Sequence, residues 1–463
     1  MSAVQPVLLA MDVALWTLVG ALALFLWRAR RREHYRRAWK QLLGSRVARI
    51  CLWILGGYAA VALLDSVHFR KAMRDASGGV VRDDRGGALF QTETLSLLDV
   101  FLRDLKSRPE KTYSAPFAAR LWTSDWVERP DGVQVREFPR LDHGGAHLAD
   151  PRDAPADIAG LAALGALKGT ALAAVLLAAW SATLWLRTRK RRVGAVLAEA
   201  LRGIAVPAVL LILGAAVAAL ASHYHVLGTG RVGQDVLYLA LKGCRTGLIV
   251  GTVTTLVATP FAAAFGIAAG YFGGRVDDII QYLYTTISSI PGILLISAAM
   301  LILNAGLSGE ASVVVADRRL LWLCVILGVV GWTGLCRLLR GETLKIRDMD
   351  YVQAAHASGI SHAGIMFRHI LPNVTHLVLI SVVLRFSGLV LAEAVLAYVG
   401  IGVDPSTQSW GNMINAARGE VSRDPVVWWN LAAAFVFMFG LVLPANLFGD
   451  AVRDALDPRL RTE

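Results

Sequence analysis

The sequence predicts an all-α, polytopic transmembrane helical bundle, with about nine spans and an external soluble insert. Hydrophobic residues make up 55% of the 463 residues, and the mean hydropathy is +0.52, which is too apolar for a water-soluble chain of this length. Several apolar stretches also reach the roughly 20 residues that a helix needs to cross a bilayer. Lipid is therefore the expected solvent for most of the chain.

The predicted spans are identified by their length and apolar content. They lie near residues 7–27, 47–64, 169–186, 203–221, 245–270, 280–303, 319–338, 374–398 and 427–448. The first stretch lacks the basic start and the small-residue cleavage site of a signal peptide, and strong basic charge follows it. It is therefore predicted to be retained as a transmembrane helix.

The positions of the basic residues predict the orientation of the spans. The formal net charge is +12, and basic clusters at residues 28–37 and 187–192 lie beside apolar spans. Because loops rich in Lys and Arg stay in the cytoplasm, the N-terminus and residues 65–165 are expected outside and the C-terminus inside. The location of the charge indicates a multi-pass protein in contact with membrane lipid, and no nucleic acid partner is expected.

The predicted external insert differs in composition from the spans around it. Residues 65–158 mix charges of both signs with several prolines. Leu95, Leu98, Leu102 and Leu105 recur at helical spacing, which predicts at least one amphipathic helix there.

No metal or redox centre is expected. The four cysteines lie in or beside predicted spans without a CxxC pair, which indicates buried free thiols. Four histidines fall in predicted external loops: His143, His147, His223 and His225. A metal site at these histidines is the less favoured alternative, because they lack acidic or cysteine partners at ligand spacing.

The stretch between the seventh and eighth predicted spans carries the clearest functional signal. In residues 351–373, a helix of small residues ends near Gly359, a second helix follows, and Pro372 precedes the next span. Glycine lets the backbone turn at little steric cost, and small side chains let a partner approach closely. The pattern predicts a cytoplasmic helix-turn-helix that lies in the groove of another protein.

This helix-turn-helix resembles the EAA loop of bacterial ABC importer permeases in its peptide/nickel variant. The matching residues are Gln353, Ala354, Ala355, Gly359, Ile370, Leu371 and Pro372. Further matches lie at residues 227–236, 269–278, 290–292, 391–394, 400–402, 409–412 and 453–459. Together they resemble the C-type permease of the dipeptide, oligopeptide and nickel importer family, a binding-protein-dependent transport inner membrane component. One residue departs from the pattern, because Gln353 stands where the family usually has Glu.

The resemblance also predicts the domain organisation. The predicted parts are 1–40 (an extra span and a basic cytoplasmic loop), 41–64 (the family's usual first span), 65–165 (the insert), 166–222 (two additional spans) and 223–463 (the permease core). The core contains a cytoplasmic coupling segment, residues 340–373. Since two added spans preserve the orientation of everything downstream, such an insertion is compatible with the family architecture.

The resemblance implies a permease subunit that is not itself an enzyme. In such importers the coupling segment docks on a cytoplasmic ATPase, whose ATP-driven dimerisation swings the permease from inward-facing to outward-facing. The implied partners are a B-type permease in a heterodimer, two ATP-binding subunits or domains, and an extracytoplasmic solute-binding protein. The sequence lacks the GxxxxGK[ST] loop that cradles phosphates, so no cofactor is expected in this chain, and ATP and Mg belong to the partner ATPase.

Two charged residues lie inside the eighth predicted span. A charge in a span is costly unless it faces a partner or a polar cavity, and Arg385 and Glu393 share approximately one helix face. Two interpretations are about equally favoured. Arg385 lines the translocation path and meets a substrate carboxylate, or the two residues form a salt bridge that fixes helix packing.

The alternative function is a secondary transporter or membrane sensor that is not coupled to an ATPase. Ion-coupled transporters typically show broken helices in two related halves, and the sequence shows no such repeat. Peptides are the solute that the resemblance implies, with nickel, opines and other small molecules as alternatives.

Overall fold

The expected all-α membrane bundle is confirmed by a computed structural model, which describes residues 4–29, 41–75, 79–82, 88–128, 134–187, 193–306 and 313–456. The long helices are α1 (Ala10–Ala29), α2 (Arg46–Asp65), α5 (Ala154–Arg187), α6 (Val193–Ala221), α7 (Val236–Phe272), α8 (Gly274–Ser289), α9 (Gly292–Gly306), α10 (Val313–Gly331), α11 (Thr333–Arg347), α14 (Leu371–Tyr398), α15 (Trp410–Glu420) and α16 (Trp429–Leu456). The short helices are α3 (Leu97–Phe101), α4 (Arg103–Lys106), α12 (Asp350–Ala357) and α13 (His362–Ile365), and the strands are β1 (Val4–Val7), β2 (His68–Lys71), β3 (Leu95–Ser96), β4 (Asp125–Glu128) and β5 (Gln134–Glu137).

Six helices of the described residues are long and apolar enough to cross a membrane, or seven if one bent pair is counted as a span. All nine predicted spans fall in helices, so the count is the approximate part of the prediction. Two of the nine do not reach the length or the low charge that a membrane span requires. The described apolar part of α1 is only Ala10–Leu24, and α10 carries Asp317, Arg318 and Arg319 near its start.

The predicted span at 280–303 is not one continuous helix. Helix α8 ends at Ser289, Ile290 is extended, and α9 begins at Gly292 after a bend of 85°. Pro291 accounts for the break, because its ring disfavours helical backbone at the residue before it. A hydropathy pattern that ignores this proline therefore joins two helices into one.

By its internal contacts the chain divides into two compact units. The first contains Met1–Leu98, Lys242–Asn415 and Val436–Glu463, and the second contains Asp99–Leu241 and Ala416–Phe435. The first unit holds the helices around the coupling segment, and the second holds most of the insert.

In the first unit, a small sheet joins the N-terminus to the start of the insert. Strands β1, β2 and β3 lie in that order and pair antiparallel, with Val7 opposite His68 and Phe69 opposite Leu95. Residues 4–7 and 68–71 therefore lie on the same side of α1 and α2. Leu95 belongs to β3, so the predicted leucine helix is realised only as the short helices α3 and α4.

Buried charges attach α1 to two other helices of this unit. Asp12 of α1 accepts hydrogen bonds from Arg245 of α7, at 3.0 Å from Nε and 2.5 Å from Nη2. Asp12 also contacts His68 at 2.7 Å. Asp317 of α10 accepts the backbone N–H of Met11 at 3.1 Å. Asp12, Arg245 and Asp317 are all buried. Removing one of them would leave a buried charge without its partner, which is strongly destabilising.

In the second unit, α5 and α6 pack tightly as a hairpin. A Cβ atom added to Gly165 would lie 2.7 Å from the Ala216 Cα, and one added to Gly169 would lie 2.7 Å from the Ile212 Cα. The two glycines are one helical turn apart on α5. They permit the close backbone approach that small residues provide between membrane helices.

A buried cluster of Glu110, His225 and Asp235 fastens the insert within the second unit. His225 Nδ1 lies 2.7 Å from Asp235 Oδ2, and Nε2 lies 3.2 Å from Glu110 Oε1. Burial disfavours the protonated ring, but hydrogen bonds and charge from the two carboxylates outweigh it and raise the pKa of His225 to about 9.

Glu110 is satisfied by the backbone as well as by His225. Burial alone would raise its pKa, but the bond to His225 and the N–H groups of residues 142–144 lower the pKa of Glu110 to about 2. The cluster, which we call the His225 cluster, is therefore an ion-paired attachment between the insert and the loop that precedes α7.

Two of the other external histidines, His147 and His223, contact neighbouring side chains. His147 Nε2 lies 2.8 Å from Asp157 Oδ2, and its ring packs near that of His223. Within the described ranges, no group of three or more His, Cys, Asp or Glu side chains is arranged to hold a metal ion. All four cysteines are buried and none of them forms a disulfide bond, as predicted.

Candidate functional site

The coupling segment folds as the predicted helix-turn-helix. Helix α11 leads into α12, a turn follows, and α13 continues through a single π-helical turn (Met366–Ile370) into α14. Pro372 lies in the first turn of α14, directly after the π-helical turn.

Gly359 makes the turn between α12 and α13. Its φ is +76°, a conformation that residues with a Cβ rarely adopt. The Gly359 N–H donates to the His356 carbonyl at 3.0 Å, and the next N–H donates to the Ala355 carbonyl at 3.2 Å. Ser361 then caps α13 by accepting the Gly364 N–H at 3.2 Å.

One face of the coupling segment is packed into the core. Val352, Ala355, Ile365, Ile370 and Val374 are buried in a cluster with residues of α7, α8 and α11. Ala355 and Ile370, which matched the EAA pattern, therefore lie on this inner face. Leu371 is half-buried against the same cluster.

The remaining pattern residues lie on the outer face. Gln353, Ala354, Gly359 and Pro372 are exposed. Large apolar side chains are exposed on the same segment: Met349, Tyr351, Ile360 and Phe367, the last with 70% of its surface accessible. An exposed apolar surface of this kind marks an interaction site.

The side chain of Gln353 has a partner within the segment. Its Nε2 donates to the Arg347 carbonyl at 3.0 Å, at the end of α11. An ionised glutamate could only accept, so it could not make this bond. The departure from the family's Glu therefore removes a charge and adds an internal hydrogen bond.

Polar contacts hold the segment against the end of α7. The Tyr271 hydroxyl lies 2.8 Å from His362 Nδ1, and Arg347 Nη1 donates to the Gly270 and Tyr271 carbonyls at 3.4 and 3.5 Å. On the other side of the turn, Asn373 Nδ2 donates to the Tyr351 hydroxyl at 2.9 Å. Both helices of the segment are thus anchored, while the turn itself stays exposed.

Arg385 and Glu393 do not form the salt bridge that was one of their two interpretations. Arg385 Nη1 donates to the Gly331 carbonyl at 2.5 Å, where α10 ends. Glu393 is buried, and its carboxylate accepts from the Ser409 hydroxyl and the Gly411 N–H. The two side chains therefore contact different elements, and the salt-bridge interpretation is wrong. A role for either residue in the translocation path stays a prediction.

Comparison with known proteins decides the family. The model of the binding-protein-dependent transport system inner membrane component matches residues 262–462. The chain is 32% identical to the oligopeptide transport system permease protein OppC of Mycobacterium tuberculosis, over 51% of this chain and 77% of the relative. The chain belongs to this family of ABC importer permeases. The predicted resemblance is confirmed.

Two further relatives of the permease have related names. It is 33% identical to the glutathione transport system permease protein GsiD of Pectobacterium atrosepticum, over 52% of this chain and 75% of the relative. It is 30% identical to the dipeptide transport system permease protein DppC of Bacillus subtilis, over 51% of this chain and 69% of the relative. The family model covers the whole coupling segment and helices α8 to α16, and it begins inside α7.

The motif-based prediction missed the exposed aromatic surface of the permease. Phe367 lies between two pattern blocks, where a single sequence gives no sign whether an apolar residue faces the core or solvent. Its helical register relative to Ile365 and Ile370, both fully buried, is the signal that could have found it.

Proposed function

We propose that the permease imports short peptides or similar small solutes by alternating access, driven by ATP hydrolysis on separate subunits. The proposal rests mainly on one observation. The coupling segment packs its inner face on α7, α8 and α11, whereas its outer face is exposed and apolar. Such a surface suits a groove in a partner protein.

The permease would act within a complex. We propose a B-type permease as its heterodimer partner, two ATP-binding subunits or domains on the cytoplasmic side, and an extracytoplasmic solute-binding protein. ATP and Mg would be bound by the ATPase. The chain would contribute the pathway and the coupling segment, with no catalytic residue of its own.

The names of the relatives support peptides as the solute class. They are permeases of oligopeptide, glutathione and dipeptide transport systems, and each of these solutes is a short peptide. The solute-binding protein would select the particular peptide.

The orientation proposed from the basic loops agrees with the small sheet. Because β1 and β2 pair, residues 4–7 and 68–71 lie together, which is compatible with two crossings by α1 and α2. We assign that side to the outside, and the C-terminus and coupling segment to the cytoplasm.

Site-specific crosslinking tests the coupling role directly. The four native cysteines are buried, so Ala354→Cys would introduce an exposed thiol on the outer face of the segment. We expect it to crosslink to the ATPase subunit in membranes, and ATP to change the yield. Lys345→Cys, exposed on α11 before the helix-turn-helix of residues 351–373, is the matched control and should crosslink much less. Equal crosslinking of both, or none at Ala354→Cys, would contradict the proposal.

Transport assays separate the proposal from the alternative of a secondary transporter or sensor. We expect uptake of labelled di- and oligopeptides in a deletion strain to be restored by the permease and blocked when the ATPase subunit is inactivated. Uptake that survives loss of the ATPase and collapses with an ionophore would favour the secondary transporter.

A further inference from the structure

Helix α8 lies between the coupling segment and the bend at Pro291. It begins at Gly274, the second of two consecutive glycines with positive φ (66° at Gly273 and 50° at Gly274), and it ends at the 85° break before α9. Both ends of α8 are therefore backbone positions where the chain changes direction, and α8 between them is one continuous helix of 16 residues.

A two-pronged ion pair ties α8 to α11, the helix that leads into the coupling segment. Arg340 of α11 donates from Nε to Asp277 Oδ1 at 2.5 Å and from Nη2 to Asp277 Oδ2 at 2.6 Å. The side chains are 24% and 12% exposed, so the pair is largely shielded from solvent. A bidentate Arg–carboxylate pair fixes orientation as well as distance.

A second arginine extends the contact along the same two helices. The Arg337 guanidinium lies 5.2 Å from the centre of the Tyr284 ring, and its Nη2 donates to the Ser288 hydroxyl at 3.0 Å. Arg337 and Arg340 are three residues apart, and their contacts on α8 span Asp277 to Ser288. The two helices are thus held at both ends of α8.

Apolar packing joins α8 to the coupling helices as well. Ile280 and Tyr284 are buried in the same cluster as Leu339 of α11 and Val352 and Ala355 of α12. Apolar contacts are not directional and permit small sliding movements, whereas the ion pair sets the register of α8 on α11.

We infer that Asp277 and Arg340 are a positioning pair that makes α8 follow the coupling segment, so that its displacement reaches the bend at Ile290–Pro291. The inference rests on the proposed function, since it names the contacts that transmit a displacement from the coupling segment to α8. In this arrangement α8 and α11 move as one body, and the extended residue Ile290 takes up the change in angle.

Removal of either charge in the assembled transporter tests the pair. In proteoliposomes that contain the full complex, Asp277→Asn and Arg340→Gln should each lower solute imported per ATP hydrolysed by about tenfold, within the usual range of coupling between two sites. ATP hydrolysis and membrane abundance should stay near wild type. Arg340→Lys keeps the charge without the two-pronged geometry and should give an intermediate loss.

The double variant Asp277→Arg with Arg340→Asp is the decisive arm. It should restore a large part of the import lost in the single variants, because it rebuilds the pair with its charges exchanged. Glu342→Gln is the matched control, since it breaks the solvent-exposed pair of Glu342 with Lys345 on the same helix and should leave the ratio unchanged.

The outcomes separate the two proposals. An unchanged import-to-hydrolysis ratio in Asp277→Asn, or no recovery in the double variant while ATPase association is intact, would overturn the positioning pair alone. If the wild-type complex neither associates with an ATPase nor imports in response to ATP, the proposed function fails.

Discussion

The coupling segment and the His225 cluster are both built from turns at helix ends, yet they use opposite kinds of interaction. The His225 cluster is closed and ionic: a buried histidine lies between two buried carboxylates, and backbone N–H groups complete it. The coupling segment is open and apolar outside, with Phe367 70% exposed. In the proposed function the exposed apolar surface is left free for a partner protein, whereas the polar groups that attach the insert are paired within the chain.

Breaking the His225 cluster gives the largest expected effect. Glu110→Gln would remove a charge that faces a protonated, buried histidine, and loss of one member of a buried ion pair costs about 3–5 kcal/mol. We expect a lower unfolding temperature and faster proteolysis of the insert, while ATPase association is retained. Asp142→Asn, a carboxylate-to-amide change at an exposed neighbouring position, should leave both unchanged. Equal stability of Glu110→Gln and wild type would show that the cluster does not hold the insert.

The same cluster predicts a pH dependence of insert stability. Folding raises the pKa of His225 from 6.5 to about 9, so its contribution is complete below pH 6.5 and is lost as the pH rises through about 9. The pKa of Glu110 falls from 4.5 to about 2, so its contribution is complete above pH 4.5 and is lost as the pH falls toward 2.

Unfolding followed across pH measures this prediction. Stability of the insert should be highest between about pH 4.5 and 6.5 and fall on the alkaline side by an amount on the order of 3 kcal/mol, since one pKa unit is about 1.4 kcal/mol. His225→Asn should be less stable at pH 6 and should lack the alkaline fall. An alkaline fall that persists in His225→Asn belongs to another group.

Removing the exposed ring of the coupling segment should weaken binding to the ATPase without unfolding the chain. Burial of an aromatic side chain at an interface contributes about 1.5–3 kcal/mol, so Phe367→Ser should weaken ATPase binding by at least about tenfold. Phe101→Ser is the matched control, because Phe101 is 71% exposed on the insert. Pull-down of the ATPase by each purified variant measures the difference. Equal losses in the two variants would remove the distinction between the surfaces.

The smallest expected effect comes from the turn itself. Gly359→Ala places a Cβ on a residue with φ of +76°, which costs about 1–2 kcal/mol of backbone strain. We expect a several-fold loss of uptake with normal membrane abundance. Gly341→Ala, in α11 with open space around the glycine, should leave uptake unchanged, so a loss there as large as at Gly359 would rule out the strain explanation.

Local patterns in the sequence predicted much of this molecule. Apolar length placed each of the nine predicted spans in helical structure, although the one at 280–303 is two helices. The glycine and proline near the coupling helices located the turn at Gly359 and the start of α14. These features depend on a few adjacent residues, so a single sequence is sufficient to find them. The break at Pro291 was also locally encoded, but a strong apolar run on both sides obscured it.

Long-range partners could not be predicted in the same way. Arg385 bonds to a carbonyl 54 residues away, and His225 meets Glu110 across 115 residues. Helical spacing placed Arg385 and Glu393 on one face, but spacing on one helix does not say what the opposing element offers. The register of α8 on α11, and hence the pairing of Asp277 with Arg340, also depends on contacts between residues far apart in the sequence.

The pairing of β1 with β2 imposes an order on biogenesis. Strand β1 is synthesised before its partner, residues 68–71, which is made only after both α1 and α2. Until residues 68–71 have been made, α1 lacks both the pairing of β1 with β2 and the Asp12–His68 contact. The attachment of α1 through these contacts is thus completed only after α2 has been made.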